Sequence, residues 1–314
     1  AAPDDLIRRP QGIGWKITAT IARGTSLHEV ETSALPGQSR SLRIDAKAVP
    51  QSALGRLVPM LWLTPAMDRL WIEAAEGRRR FLDRMVLAFA PDHAEVSLAY
   101  EKAMRQRNRL LRDQARDGAW YGALETQMAQ SGARISANRR AVIDRLARAT
   151  DPAGAFPSAD LTLLCDAPAD EAALAHALAT GRRADMAAGR SLTGPHRADL
   201  GALWRTKGMS AAQCSTGEQK ALLLSLVLAN ARALAEDTGA PPILLLDEVA
   251  AHLDAPRRAA LFDALCDLGA QAFLTGTEAA LFAALGPRAT WFTLSDGAGH
   301  SQLSETPAPP SIAP

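Results

Sequence analysis

After Pro241-Pro242 the chain reads Ile243-Leu244-Leu245-Leu246-Asp247-Glu248, four apolar residues that end in two carboxylates. A short, continuous apolar run after two prolines fits a fully buried strand of the kind parallel sheets use, and parallel strands need crossover helices to join them. Gln271 to Thr275 is a second such strand, so this part of the chain predicts an α/β layout. Acids at the carboxyl end of a buried strand face the crevice where open α/β sheets bind ligands. With 314 residues, 47% of them hydrophobic and 22% charged, the chain is long enough for a large core or two modest ones and is neither disordered nor collagen-like. A membrane span is excluded. The best apolar run, Ala221 to Ala229, falls short of the roughly 18 to 20 residues required and contains Ser225.

Upstream, Trp15 to Ala22 and Ser41 to Ala46 alternate as half-buried strands, with Leu35-Pro36-Gly37-Gln38 between them, and predict an antiparallel sheet. Leu57 to Leu63 is a short apolar run ended by Thr64-Pro65. An amphipathic helix then begins at Arg78 and closes before Pro91. Residues 94 to 149 hold no proline, and Leu110, Leu111, Leu124, Met128, Ile135, Val142 and Leu146 recur at helical spacing, which predicts two long helices broken near Gly118 and Gly132. Asp151-Pro152-Ala153-Gly154 breaks the helix, Leu161 to Cys165 reads as a strand and Glu171 to Leu178 as a helix. The expected organisation is a globular part over residues 1–93, a helical arm over 94–189, the return of the globular part over 190–300 and a Pro-rich disordered tail over 301–314.

Charge is unevenly spread. The whole chain carries +1, yet between Glu101 and Arg148 eleven basic residues face five acidic ones, a local +6. A solvated helix face and a phosphate-binding surface both account for such a run. Cys165, Cys214 and Cys266 are odd in number and far from any zinc spacing, so free, mostly buried thiols in a reducing cytosol are expected. Of the six histidines only His196 and His252 lie inside motifs.

Four apolar residues followed by Asp247-Glu248 form a Walker B pattern, in which the first carboxylate can hold Mg²⁺ and the second can orient an attacking water. Thirty-two residues before Asp247 lies Ser215-Thr216-Gly217-Glu218-Gln219-Lys220, which opens a helix. Its hydroxyls and unpaired N–H groups suit a phosphate, and Ser215 and Glu218 also have the spacing of a capping box. Both readings can hold together. After the acids, Ala251-His252-Leu253-Asp254 is either a loop with Asp254 capping the next helix or, beside the other two elements, a D-loop.

The order signature, Walker B, D-loop resembles the ABC-type ATPase heads. Further blocks resemble one branch of them, the bacterial recombination mediator family RecF: Arg79-Arg80-Phe81-Leu82-Asp83, Tyr100-Glu101-Lys102, Gln106-Arg107-Asn108-Arg109-Leu110-Leu111, and Gly194-Pro195-His196-Arg197 with Asp199-Leu200. These blocks span about residue 60 to residue 275. The resemblance implies an α/β ABC-ATPase-like head, a mixed sheet with flanking helices and an antiparallel side sheet, carrying an inserted helical arm. It implies a cytoplasmic protein of DNA replication, repair and the SOS response. Such a protein dimerises around ATP and Mg²⁺, binds DNA at single-strand/double-strand junctions and helps RecO and RecR load RecA. Carried over, Asp247 is the Mg²⁺ carboxylate and Glu248 the catalytic base; Ser215, Gly217, Gln219 and Asp254 are nucleotide-binding, Asp254 from the dimer interface. Candidate DNA contacts are Arg78, Arg79, Arg105, Arg109, Arg112, Arg116 and Arg197. A rigid turn explains Gly194 to Arg197 equally well, and Arg78 to Arg80 fit a role in closing the head.

Two departures stand out. No G-x-x-x-x-G-K-S/T occurs in the chain, and Gly12-Ile13-Gly14-Trp15 reads as a turn. The family carries that loop near the N-terminus, and this chain opens at Ala1 without Met or signal peptide, so truncation is the expected explanation and a pseudo-ATPase the alternative. Thr275-Gly276-Thr277 also stands where transporter-type heads place a switch histidine. The rival functions are another ABC-head subunit, of a chromosome-structure or transporter ATPase, and a non-hydrolysing DNA-binding module. The first would be marked by a long heptad coiled coil or the switch histidine, and neither is present.

Overall fold

A computed structural model describes residues 3–8, 12–150, 154–297 and 300–309, and the chain divides into two units, Ala1–Met60 and Leu61–Pro314. In the first, β1 (Trp15–Arg23) turns back through Gly24-Thr25 into β2 (Ser26–Ala34), followed by β3 (Ser41–Ile44) and β4 (Lys47–Ala48). They form one antiparallel sheet in the order β1-β2-β3-β4. The sequence reading missed β2, although Gly24, with φ of 57°, marks the hairpin turn that creates it. Asp45 and Ala46 both have positive φ and close the β3–β4 hairpin. The Asp45 carboxylate accepts hydrogen bonds from the Glu29 amide at 2.9 Å and from His28 at 2.8 Å. Helix α1 (Ser52–Leu57) ends the unit.

In the second unit β5 (Met60–Leu63) leads to α2 (Ala75–Phe89), α3 (His93–Arg112) and α4 (Gly118–Ala149). Then come β6 (Ala159–Leu164), α5 (Glu171–Thr180), α6 (Arg182–Ala188), β7 (Asp199–Trp204) and β8 (Met209–Ser210). The chain continues through α7 (Thr216–Thr238), β9 (Ile243–Asp247), α8 (Ala255–Leu268), β10 (Ala272–Thr275), β11 (Trp291–Gly297) and β12 (His300–Thr306). Among the described residues three sheets result: β10-β9-β5, β6-β7-β8 and the β11-β12 hairpin. Helix α7 is buried on every side from Gln219 to Ala231, as an apolar helix in the middle of a core must be.

The predicted break at Gly132 does not occur. α4 runs straight through it, and a Cβ there would lie 2.9 Å from the Leu174 side chain and 3.3 Å from those of Tyr100 and Pro195, so this glycine serves close helix packing. The 94–189 arm also divides differently. Tyr100, Leu111, Met128, Ile135 and Leu174 share one core, whereas Val142, Leu146 and Ala159 join the core around α7. The second half of α4 and β6 therefore pack with the head. The expected tail from residue 301 begins instead as β12, paired from His300↔Gly297 to Thr306↔Trp291, because Leu303 and its alternating neighbours continue a hairpin pattern. Residues 151–153 of the expected break, and 310–314 of the tail, lie outside the described residues.

The parallel pairing of β9 with β10 is as expected, but burial on both faces is not. Leu244 and Leu246 are buried, while Leu245 is 40% and Phe273 54% exposed, together with Trp62 at 39%. One face of this sheet joins the core and the other is open. The three cysteines are free; Cys214 is buried and Cys266 exposed. Among the described residues, no helix is long and apolar enough to cross a membrane.

Candidate functional site

The N-terminus of α7 is set by local chemistry. Ser215 and Glu218 form the capping box, with the Ser215 amide donating to Glu218 Oε2 at 2.8 Å. Lys207 also pairs with Glu218, and these hydrogen bonds, Lys207 first and Ser215 next, pull its carboxyl down to about 2. Ser215 and Thr216 remain exposed and Gly217 half-buried. Gln219 does not join them. It is 5% exposed and its Nε2 donates to the Cys214 carbonyl at 2.9 Å, tying the first turn to the loop before it, so its expected place on a nucleotide is already taken.

The acids at the end of β9 are tied to the same helix by Lys220, which donates to the Glu248 carbonyl. Asp247, at the end of β9, is exposed, and one of its oxygens accepts a hydrogen bond from the Thr275 hydroxyl at the end of β10. The Glu248 amide donates to the Thr275 carbonyl at 3.1 Å. The side-chain carboxylate of Glu248 has no hydrogen-bond partner among the described residues, which leaves it available to a water. Asp254 N-caps α8, accepting from the Arg257 amide at 2.9 Å, as the capping reading requires. The loop between them approaches the signature helix: a Cβ on Gly217 would sit 3.5 Å from the His252 carbonyl. Such a contact is ordinary van der Waals distance. Gly217→Ala is therefore expected to leave the melting temperature within about 2 °C of the parent, as surface changes of less than ~0.5 kcal/mol do, when followed by thermal denaturation.

The basic candidates separate into two groups. Arg78 lies inside a fork: Nε and Nη2 donate to the two Asp199 carboxylate oxygens at 2.7 and 2.8 Å, and Nη1 to the Glu73 carbonyl at 2.6 Å. Arg79 donates to the Ala198 carbonyl at 2.8 Å, and burial, with Arg139 nearby, pushes its guanidinium down. Both hold α2 against β7 and its approach, so the structure does not offer them as DNA contacts. Arg105, Arg109 and Arg112 instead lie exposed on α3, and Arg116 is exposed in the turn beyond it. Arg105 and Arg109 meet Glu101 and Asp113 only at 3.7 Å. Arg197 is exposed as well.

Around Arg197, Gly194-Pro195-His196 acts as the rigid turn. A Cβ on Gly194, whose φ is 143°, would fall 2.1 Å from the Tyr100 hydroxyl. That hydroxyl meets His196 Nδ1 at 2.7 Å, and His196 Nε2 meets the Ser191 carbonyl at 3.1 Å. A carbonyl cannot donate, so Nε2 carries the proton and Nδ1 accepts from Tyr100. Burial pushes the imidazole below its ordinary value, in keeping with this neutral form. Arg139 completes the joint, bonding the Pro195 carbonyl at 2.8 Å and both oxygens of Asp83 at 2.7 and 2.8 Å.

Sequence reasoning assigned no role to Thr275, Lys220 or Asp68. Lys220 is 2% exposed, and its ammonium donates to the Glu248 carbonyl at 2.9 Å and lies 3.3 Å from Asp68. The signal was present: a lysine opening an otherwise apolar helical run must have an internal partner.

No family model matches the chain. It is 47% identical over 310 residues to the DNA replication and repair protein RecF of Mesorhizobium japonicum, covering 93% of this chain and 82% of that protein. The RecF proteins of Rhizobium johnstonii and Brucella suis are 44% and 47% identical, each across 95% of this chain and 83% and 81% of their own. The fold matches a solved structure of the recombination mediator protein RecF-ATPrS in the RecFOR pathway, with a TM-score of 0.75 at 20% identity, covering 92% of this chain and 80% of that one. A RecF-ATP structure gives 0.72 at 21% identity, over 84% and 74%. The architecture is thus that of an ABC-ATPase-like head with a helical arm.

Proposed function

We propose a function from one premise: the chain belongs to the RecF family and is a DNA replication and repair protein. On this reading it binds ATP between two copies of its head. Ser215 and Gly217, at the exposed N-terminus of α7, approach the terminal phosphate held by the partner subunit, where N–H groups and the helix dipole favour an anion. Asp247 would hold Mg²⁺. The donor set suits such an ion, since Thr275 engages one carboxylate oxygen and leaves the other for an ion that keeps waters and takes phosphate oxygens as further ligands. Bound there, Mg²⁺ would neutralise phosphate charge. Glu248 orients and deprotonates the attacking water, and Asp254 lies at the edge where the two heads meet. The arm binds DNA, at single-strand/double-strand junctions, and the assembly works with RecO and RecR in loading RecA.

The observation that carries this reading is the convergence of three elements. The free Glu248 carboxylate, the exposed α7 N-terminus and the His252 loop come together within one unit, with Gly217 beside His252 and Lys220 beside Glu248. A phosphate-loop sequence is absent from the 314 residues, and such loops supply most of the positioning in phosphoryl transfer. The chain is accordingly expected to release phosphate from ATP at background rate. Joined to the phosphate-loop segment of a family member, it is expected to gain Mg²⁺-dependent hydrolysis, which Glu248→Gln lowers by roughly 10²-fold or more while ATP-driven association persists. Normal hydrolysis by the Gln variant, measured as phosphate release, would remove Glu248 as the base. DNA binding with no hydrolysis in the joined version would instead make the protein a DNA-binding module that does not hydrolyse ATP.

A further inference from the structure

The sharpest unexplained feature near the acids is a buried charge beneath them. Lys220 sits on α7 just before the apolar run Ala221 to Leu224, with its side chain 3% exposed, and Asp68 beside it is 19% exposed. Asp68 spends only one oxygen on the ammonium at 3.3 Å; its Oδ1 is buried with no hydrogen-bond partner. An ion pair so poorly satisfied is an expensive way to fill a core, since apolar residues of the same size do so at least as well. The ammonium also makes a second contact, at 2.9 Å, with the main-chain carbonyl of Glu248.

Glu248 is the residue whose backbone needs holding. Its φ is 51°, in the left-handed region that a branchless glycine tolerates and a glutamate rarely adopts. Its carbonyl also accepts from the Ala251 amide at 3.3 Å, and its own amide donates to the Thr275 carbonyl at 3.1 Å. Rotation of Glu248 out of this conformation would swing that carbonyl away from Lys220 and change the direction of its carboxylate.

We propose that Lys220 is a positioning residue: its ammonium, charge-balanced by Asp68, clamps the carbonyl of Glu248 and so keeps that side chain aimed from the end of β9. The proposal rests on Glu248 being the base. The clamp makes the signature helix and the acid pair one mechanical piece, so a displacement of α7 is passed directly to the backbone of Glu248.

Amide hydrogen exchange and ¹³Cα shifts, read by NMR on the 314-residue chain, test the clamp without ATP. Lys220→Met combined with Asp68→Asn removes both charges together and avoids leaving one buried alone. The expected result is exchange at least tenfold faster at Ala251, and a Glu248 Cα shift moving away from its left-handed value, with the amides of Leu222 to Leu228 unchanged. In a Glu248→Gly background, where positive φ carries no strain, the same pair of substitutions is expected to change Ala251 exchange less than twofold. Unchanged exchange at Ala251, acceleration spread along α7, or equal acceleration in the glycine background would each overturn the clamp. Normal hydrolysis by Glu248→Gln would overturn the base assignment alone and leave these exchange results standing.

Discussion

Arg107→Met is expected to destabilise the Leu61–Pro314 unit by about 3–5 kcal/mol, the cost of leaving a buried charge without its partner. Arg107 is fully buried and donates to Glu125 at 3.1 Å, Asp185 at 2.6 Å, Ser191 Oγ at 2.8 Å and the Leu178 carbonyl at 2.8 Å. Glu125 keeps a second cation, Arg182 at 2.8 Å. Asp185 has no second cation among the described residues and retains only the Leu192 amide at 2.9 Å. The loss should therefore fall mainly on Asp185. Adding Asp185→Asn is expected to recover a large part of it, because a neutral amide costs far less to bury than a lone carboxylate. Urea unfolding of the parent, the single variant and the double variant measures both steps. A single variant within 1 kcal/mol of the parent would show that the network contributes little, and a double variant no better than the single would shift the burden to Glu125.

Arg107 also shows what was legible in the sequence and what was not. It was counted with ten other basic residues as surface charge, although it lies at helical spacing from Tyr100, Ala103, Leu110 and Leu111, all of them buried on the same side of α3. That periodicity pointed inward. Counting charge ignored it, and Arg139 was miscounted for the same reason. The acids, the capping box and the Asp254 cap were readable because each depends on a few neighbours in sequence. Lys220, Asp68 and Thr275 were not assigned, because their roles arise from contacts 28 to 152 residues apart. Gly132 was misread for the opposite reason. Local propensity marks a glycine as a helix breaker, but here the side chains of Tyr100, Leu174 and Pro195 press so closely on α4 that any larger residue would have to push them aside.

With Arg107 and Arg139 removed to the interior, the charge left on α3 forms a narrower and better defined feature. Lys102, Arg105, Arg109 and Arg112 follow one another at spacings of three, four and three residues along its exposed face, and Arg116 follows beyond its end. Side chains at those spacings share one side of a helix. Arg112 and Arg116 have no ion-pair partner among the described residues, and the 3.7 Å pairs of Arg105 and Arg109 are exposed and contribute little. Such a stripe can follow a phosphate backbone. If it does, each neutralised phosphate releases counterions, and reversing Arg105, Arg109, Arg112 and Arg116 to Glu should make the slope of log K against log salt shallower by roughly 3 to 4 units, at about 0.9 per contact on duplex DNA. Binding should weaken alike on all sequences, since phosphate contacts carry no base information. Fluorescence anisotropy on a gapped duplex at several salt concentrations measures the slope, and unfolding by urea confirms that exposed positions were chosen. Reversal that leaves the slope unchanged would make the stripe a solvated face and direct the search to Arg197, the other exposed candidate, since Arg78 and Arg79 are already committed to Asp199 and the Ala198 carbonyl.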